Sequence, residues 1–68
     1  MKKVSSIRKH YIFELSERDI KNNPNLCVGT KFVLFLKEEY LPGLGLDYNS
    51  VDYEAETYYE AKNFAVYY

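Results

Sequence analysis

The pattern of apolar and polar positions along the chain predicts three β-strands. Side chains alternate between two faces over residues 9–15 (KHYIFEL) and again over residues 51–58 (VDYEAETY). A period of two is typical of a strand with one buried face. The window GTKFVLFLKEEY is centred on residues 32–37 and has apolar side chains on both faces, which predicts a central strand covered on both sides.

The period changes to that of an α-helix at Thr57. Thr57 and Glu60 have the spacing of a capping box, in which the Thr hydroxyl accepts from the third helical N–H and the Glu reaches back. The apolar stripe that follows consists of Ala61, Phe64, Ala65 and Tyr68. Such a short helix must be held by packing, and we expect Phe64 to anchor it. The competing interpretation is a helix that already starts at Ser50.

The two long connections carry turn signals. In residues 16–25, Ser16 can cap a short helix with Asp19 at its third position, and Pro24 ends it. Residues 41–50 contain turn residues together with three leucines that we expect to fold back over the core: Leu41, Leu44 and Leu46. The fold class predicted is α+β, a small antiparallel sheet of about three strands with a C-terminal α-helix packed on one face. Residues 1–68 form a single small domain.

Size and composition favour a protein that binds another protein. A chain of 68 residues buries only about 60% of its unfolded surface and is marginally stable by itself. Cys27 is the single cysteine, so no disulfide can form within the chain. We expect a partner protein or a homodimer to contribute stability.

The source and location follow from the same numbers. Residues with AT-rich codons (Lys, Asn, Tyr, Ile, Phe) total 27, against 10 with GC-rich codons (Gly, Ala, Arg, Pro), which predicts a gene from an AT-rich bacterium or its phage. No apolar run approaches the ~20 residues that cross a bilayer. A lone cysteine fits a reducing compartment, so the expected location is the cytoplasm of a bacterial host, with no membrane partner.

Motifs of catalysis and metal binding are weak. His10 and Cys27 are the one candidate pair of base and nucleophile, but no catalytic signature surrounds Cys27, which we expect to be a buried small apolar residue. The segment from Asp47 to Asp52 begins like a calcium loop, yet it lacks the glycine at position 6 and the glutamate at position 12. We therefore expect no enzyme activity and no catalytic residue, metal or cofactor.

Acidic side chains collect in the second half of the chain. Residues 1–34 have seven basic and three acidic side chains, a charge of +4, whereas residues 35–68 have two basic and seven acidic ones, a charge of −5. In an extended strand, Asp52, Glu54 and Glu56 would project from one face about 6.6 Å apart. This acidic row would imitate the spacing of roughly two phosphate steps of DNA. The alternative is an ordinary solvated strand face.

Tyrosines extend this candidate surface. The chain has eight tyrosines and no tryptophan, and three of the tyrosines lie off the apolar stripe of the helix. Tyrosine is enriched in interface hot spots because it gives a large contact area at low entropic cost. The expected partner-binding residues are Asp52, Glu54, Glu56, Tyr58, Tyr59, Glu60 and Tyr67. The hypothesis is a non-enzymatic inhibitor from a phage or mobile element, acting on a host nucleic-acid-handling protein with a basic surface.

Two alternatives belong to other classes. A basic N-terminal arm with Lys2, Lys3, Arg8 and Lys9 would bind nucleic acid beside Tyr11, although a pI of about 5.7 is low for such a protein. A structural subunit would self-associate through the apolar strand at residues 32–36.

Overall fold

The computed structural model describes residues 1–43 and 45–68. These residues form four strands and two α-helices, in the order β1 (Lys2–Ile7), β2 (His10–Glu14), α1 (Glu17–Asn22), β3 (Phe32–Leu36), β4 (Tyr53–Ala55) and α2 (Tyr58–Tyr67), with a 3₁₀-helix at Tyr48–Ser50. The strands form one antiparallel sheet in the order β1-β2-β3-β4, and α2 contacts all four. The α+β class with a small antiparallel sheet and a C-terminal helix is confirmed.

The prediction of about three strands is wrong, because β1 adds a fourth. This strand pairs only with β2 and forms one edge of the sheet, so its side chains are mostly exposed and polar. A bulge between Lys3 and Ser5 interrupts the alternation. An exposed, bulged edge strand therefore lacks the period-two pattern that reveals the other strands. The expected basic arm is the first strand of a hairpin, whose turn holds Arg8 at a φ of 50°.

The predicted strand at residues 51–58 is also shorter than expected. Only Tyr53–Ala55 form β4, although the Asp52 N–H still donates to the Leu34 carbonyl at 2.8 Å. Glu56 lies past the end of the strand, in the bend that leads to the helix. The interpretation of these residues as a helix from Ser50 is wrong, because residues 53–55 pair with β3.

The change from strand to helix at Thr57 is confirmed. Thr57 is the N-cap of α2, and its hydroxyl accepts from the Glu60 N–H at 3.1 Å. The reciprocal half of the capping box does not form, and the Glu60 carboxylate accepts a hydrogen bond from the Tyr53 hydroxyl. One half of the motif fixes the start of the helix, and the other half joins the helix to β4.

Both faces of the sheet are covered. The helix-side cluster is buried between the sheet and α2 and consists of Ile12, Leu34, Ala55, Ala61 and Ala65. The loop-side cluster lies on the opposite face and consists of Phe13, Leu15, Leu26, Val33 and Phe35. The strand β3 contributes to both clusters, as predicted for a central strand. In the sheet, β3 pairs with β2 along residues 32–36 and with β4 along residues 32–34.

The connection after β2 begins as predicted. Ser16 caps α1 in a complete capping box with Asp19. Partial burial by itself would raise the pKa of Asp19. Hydrogen bonds from the backbone and hydroxyl of Ser16, together with the amino group of Met1 at 3.0 Å, outweigh that effect and lower the pKa.

The leucine-rich connection before β4 follows the prediction only in part. Leu46 packs against the loop-side cluster, whereas Leu41 is 62% exposed. Leu44 lies outside the described residues. Neither described α-helix has the length and apolar character needed to span a membrane.

Candidate functional site

The carboxylates of the predicted acidic row do not share one face. Glu54 faces the loop side, because its register partner on β3 belongs to the loop-side cluster. Asp52 instead bonds on the helix side, where its Oδ2 lies 2.6 Å from Nε2 of His10. Glu56 follows the strand and is exposed. The expected row required an extended strand through all three residues, but β4 covers only Tyr53–Ala55, so Asp52 precedes the strand, Glu56 follows it, and the prediction of a single row is wrong.

Glu54 holds a loop in place. Its Oε1 accepts from the Cys27 backbone N–H at 2.8 Å and from the Thr30 hydroxyl at 3.1 Å. Thr30 is 4% exposed, so Glu54 satisfies a buried donor in the segment between α1 and β3. The Cys27 side chain itself is exposed, contrary to the expectation of a buried residue. This carboxylate therefore has a structural role in addition to any role in binding.

Asp52 likewise has an internal partner. The His10 side chain is only 1% exposed, and its ring packs edge-on against Phe64 at 5.4 Å. The Nε2–H of His10 can donate to Asp52, while Nδ1 is buried without a hydrogen-bond partner among the described residues. Since His10 lies under α2 and Cys27 lies in the loop held by Glu54, the structure does not bring the candidate base and nucleophile together.

Tyr58 connects the first turn of α2 to the sheet. Its hydroxyl is hydrogen bonded to the Ser5 hydroxyl on β1, and its ring packs edge-on against Phe32 on β3 at 6.0 Å. The side chain retains 39% exposure. Its contacts within the fold make it less available to a partner than Tyr59.

The three remaining predicted residues come together in one groove. Tyr59, Glu60 and Tyr67 line an open groove along α2, which we call the tyrosine groove. Its full lining is Tyr53, Tyr59, Glu60, Asn63, Phe64, Tyr67 and Tyr68. Tyr59 is 73% exposed and Tyr67 is 79% exposed, so both rings face solvent over most of their area. The lining has one carboxylate and no lysine, arginine or histidine.

One wall of the groove is a stack of three aromatic rings. Phe64 stacks on Tyr53 with ring centroids 4.0 Å apart and an angle of 7°, and on Tyr68 at 4.7 Å and 20°. Phe64 packs against the helix-side cluster, as expected of the anchor. Tyr68 was expected in the core through its spacing from Phe64. It does contact Phe64 but is 70% exposed, since Tyr68 is the C-cap that follows Tyr67, the last residue of α2.

The Tyr53 hydroxyl joins the stack to the carboxylate of the groove. It donates to Glu60 Oε1 at 3.2 Å. Burial of the phenol raises the pKa of Tyr53, and the hydrogen bond to Glu60 and the negative charges nearby raise it further. The raised pKa keeps the phenol protonated, and so a hydrogen-bond donor to Glu60, to a higher pH than in a free tyrosine.

Sequence reasoning missed four residues of the groove: Tyr53, Asn63, Phe64 and Tyr68. A spacing signal was present, since positions 59, 63 and 67 are each four residues apart, as are 60, 64 and 68. Residues four apart on a helix lie on one face, so these two stripes are neighbours on α2. The contribution of Tyr53 carried no such signal, because it depends on where β4 lies relative to the helix.

None of the basic residues of the hairpin lines the tyrosine groove. The ammonium groups of Lys3 and Lys37 lie 4.6 Å and 5.5 Å from the centroid of the Tyr11 ring. Arg8 is bound internally, because its guanidinium donates to the Val66 carbonyl in the last turn of α2 at 3.0 Å. Of the predicted arm, Lys3 therefore lies over the Tyr11 ring, and the second lysine there, Lys37, follows β3.

Within residues 1–43 and 45–68, no three or more His, Cys, Asp or Glu side chains form a group that could hold a metal ion. Comparisons of the chain with models of known protein families, with curated proteins and with solved structures found no match.

Proposed function

We propose that this protein is a non-enzymatic binding module whose tyrosine groove contacts a partner protein with a basic surface. The observation that supports the proposal is the grouping of three highly exposed tyrosines, Tyr59, Tyr67 and Tyr68, around the carboxylate of Glu60. Exposed aromatic rings in one patch are uncommon on a monomer and are typical of interaction sites. Tyrosine is also one of the residue types that dominate binding energy in protein interfaces.

The charge of the surface selects the partner. The groove has Glu60 and no cationic side chain, and Glu56 is exposed one residue before the cap of α2. Complementary charge directs association and excludes like-charged partners. Asp52 and Glu54 belong to the same hypothesis, but both accept hydrogen bonds within the fold. The carboxylates offered to a partner are therefore mainly Glu56 and Glu60.

The biological role that we propose is inhibition of a host protein. The AT-rich amino-acid composition and the small size fit an accessory protein of a bacterial phage or mobile element, acting in the cytoplasm of its host. Carboxylates that occupy a basic cleft compete with nucleic acid for the same lysine and arginine side chains of that cleft. A host protein that handles nucleic acid is therefore the proposed target class.

The test uses immobilised protein and host lysate, followed by the purified partner. The doubly substituted variant Tyr59→Ser/Tyr67→Ser should lose at least 90% of the captured partner, which corresponds to about 1.4 kcal/mol of binding free energy. Glu56→Gln should weaken capture at low salt and have less effect at high salt. Tyr48→Ser is the matched control, since Tyr48 is an exposed tyrosine outside the groove.

The result that would refute the proposal is equal capture by the groove variants and by the control. Each variant is first checked for an unchanged melting temperature, so that unfolding does not imitate loss of binding.

A second function has one specific observation in its favour. Lys3 and Lys37 flank the Tyr11 ring, an arrangement in which a nucleobase or phosphate could be held. Binding of a single-stranded oligonucleotide that weakens steeply with salt, and is lost in Lys3→Ala/Lys37→Ala, would favour this nucleic-acid binder over the protein-binding module.

A further inference from the structure

The exposed end of the ring stack is a platform for a planar group. One face of Tyr68 stacks on Phe64, so the exposure of the ring belongs largely to its other face. The opposite end of the stack is Tyr53 on β4, which is less exposed than Tyr68 and donates its hydroxyl to Glu60. Aromatic faces carry partial negative charge and attract cations, and a planar cation can stack on them in parallel.

The carboxylate in the groove has unused hydrogen-bonding capacity. Glu60 accepts from Tyr53 through Oε1, and its Oε2 has no hydrogen-bond partner in the described part of the chain. A carboxylate with a free oxygen beside exposed rings can bind a cation by charge and by hydrogen bonding together. No cationic residue lines the groove to neutralise it from within.

The groove also has the length of a short peptide. The stripes 59–67 and 60–68 each run from a first to a last residue eight positions apart, or about 12 Å along the helix axis. An extended chain covers that distance in about three to four residues. The long side chains of such a segment can reach both the Glu60 end and the Tyr68 end of the groove.

We infer that the tyrosine groove binds an arginine-bearing extended segment of the partner protein, with a guanidinium paired to Glu60 and cationic side chains laid against the exposed tyrosine rings. This inference rests on the proposed function and specifies the chemistry that the groove recognises. Arginine fits better than lysine, because the guanidinium is planar, weakly hydrated and able to stack and donate at once, whereas an ammonium is compact and strongly hydrated. A nucleic-acid strand fits worse, because its phosphates would lie beside a carboxylate.

The experiment is an NMR titration of the full chain with three probes of equal length: nona-arginine, nona-lysine and nona-citrulline. Citrulline keeps the planar shape of arginine and removes its charge. We expect nona-arginine to bind at least several-fold more tightly than nona-lysine, and nona-citrulline not to bind measurably. The largest shifts should fall on Tyr59, Asn63, Tyr67 and Tyr68.

Variants of the chain separate the two contacts. Glu60→Gln keeps an acceptor for Tyr53 and should weaken nona-arginine binding about tenfold, because a charge-assisted hydrogen bond is lost. Tyr68→Leu keeps apolar contact with Phe64 and should weaken binding about two- to fivefold through loss of the ring face. Glu14→Gln, an exposed carboxylate on β2, is the matched control and should leave binding unchanged.

The outcomes distinguish this inference from the proposed function. Equal binding of nona-arginine and nona-lysine, unaffected by Glu60→Gln, would overturn the arginine site while leaving a basic partner in place. Larger shifts with an oligonucleotide than with nona-arginine would overturn it in favour of a nucleic acid. The last outcome concerns a lysate partner that the Tyr59→Ser/Tyr67→Ser variant fails to capture. If the wild-type protein still binds this partner after the partner's arginines are replaced by lysine, the arginine site alone is refuted.

Discussion

Replacing Glu54 with alanine tests whether this carboxylate is a structural element or a free member of an acidic surface. Its Oε1 accepts two hydrogen bonds, from the Cys27 N–H at 2.8 Å and from the Thr30 hydroxyl at 3.1 Å. The substitution removes the acceptor of both. The loop between α1 and β3 then loses these two hydrogen bonds to β4 and keeps the backbone bond from the Lys31 N–H to the Ala55 carbonyl, and the buried Thr30 hydroxyl is left without this acceptor.

The size of the effect follows from these two contacts. A hydrogen bond to a charged group contributes about 1.5–3 kcal/mol, and Glu54 is only partly buried, so water replaces part of what is lost. We expect the free energy of unfolding to fall by about 2–4 kcal/mol. The total free energy of unfolding of a domain of this size is about 3–10 kcal/mol. With a shift of about 4–8 °C per kcal/mol, the melting temperature should fall by about 8–32 °C.

The assay is urea and thermal unfolding monitored by circular dichroism. Glu56→Ala, an exposed carboxylate two residues away, is the control and should change stability by no more than about 0.5 kcal/mol. Combining Glu54→Ala with Thr30→Val should show a coupling energy of about 1 kcal/mol, because the two residues share one contact. Equal stability of the Glu54 and Glu56 variants would refute the structural role.

Three further predictions follow from the packing and the perturbed groups. Phe64→Ala should lower the free energy of unfolding by about 2–4 kcal/mol in denaturant titrations, since the ring joins the stack to the helix-side cluster. The control Tyr59→Ala should change the free energy of unfolding little, because Tyr59 is exposed. Similar values for both variants would contradict the docking of α2. The lowered pKa of Asp19 gives stability that is fully present above about pH 4 and lost as pH falls through the folded value, so the difference between wild type and Asp19→Asn should shrink in acid unfolding measurements. Because the pKa of Tyr53 is raised in the folded protein, the unfolded chain releases the phenolic proton first as pH rises past about 10. The free energy of unfolding should therefore decline above that pH in the wild type and decline less in Tyr53→Phe. A parallel decline in both proteins would contradict this assignment.

The sequence predicted secondary structure correctly where residues close together in the chain determine the local conformation. The Thr57 cap, the Ser16–Asp19 capping box and the two-sided pattern of β3 all follow from residues close together in the chain. Each rests on backbone hydrogen-bonding geometry or on burial of a continuous pattern. The edge strand β1 was missed because an exposed edge imposes no alternation on its side chains.

The faces on which the functional side chains lie depended on the tertiary structure. From spacing alone, Asp52 and Glu54 belonged to one acidic row. In the folded protein, Asp52 is hydrogen bonded to the buried His10, and Glu54 is hydrogen bonded to the Thr30 hydroxyl. The two carboxylates therefore lie on opposite sides of the sheet. Buried donors need acceptors, and the nearest carboxylates supply them.

By itself, the sequence determined the α+β class, the central strand and the residue that caps the last helix, because these depend on periodicity and on hydrogen bonds between near neighbours. Only the tertiary structure decided which tyrosines form a groove. Tyr53 contacts Phe64 and Glu60 because β4 pairs with β3 in the sheet and α2 packs against β4. This is a contact between two different elements, and the residue pattern within one element does not encode it.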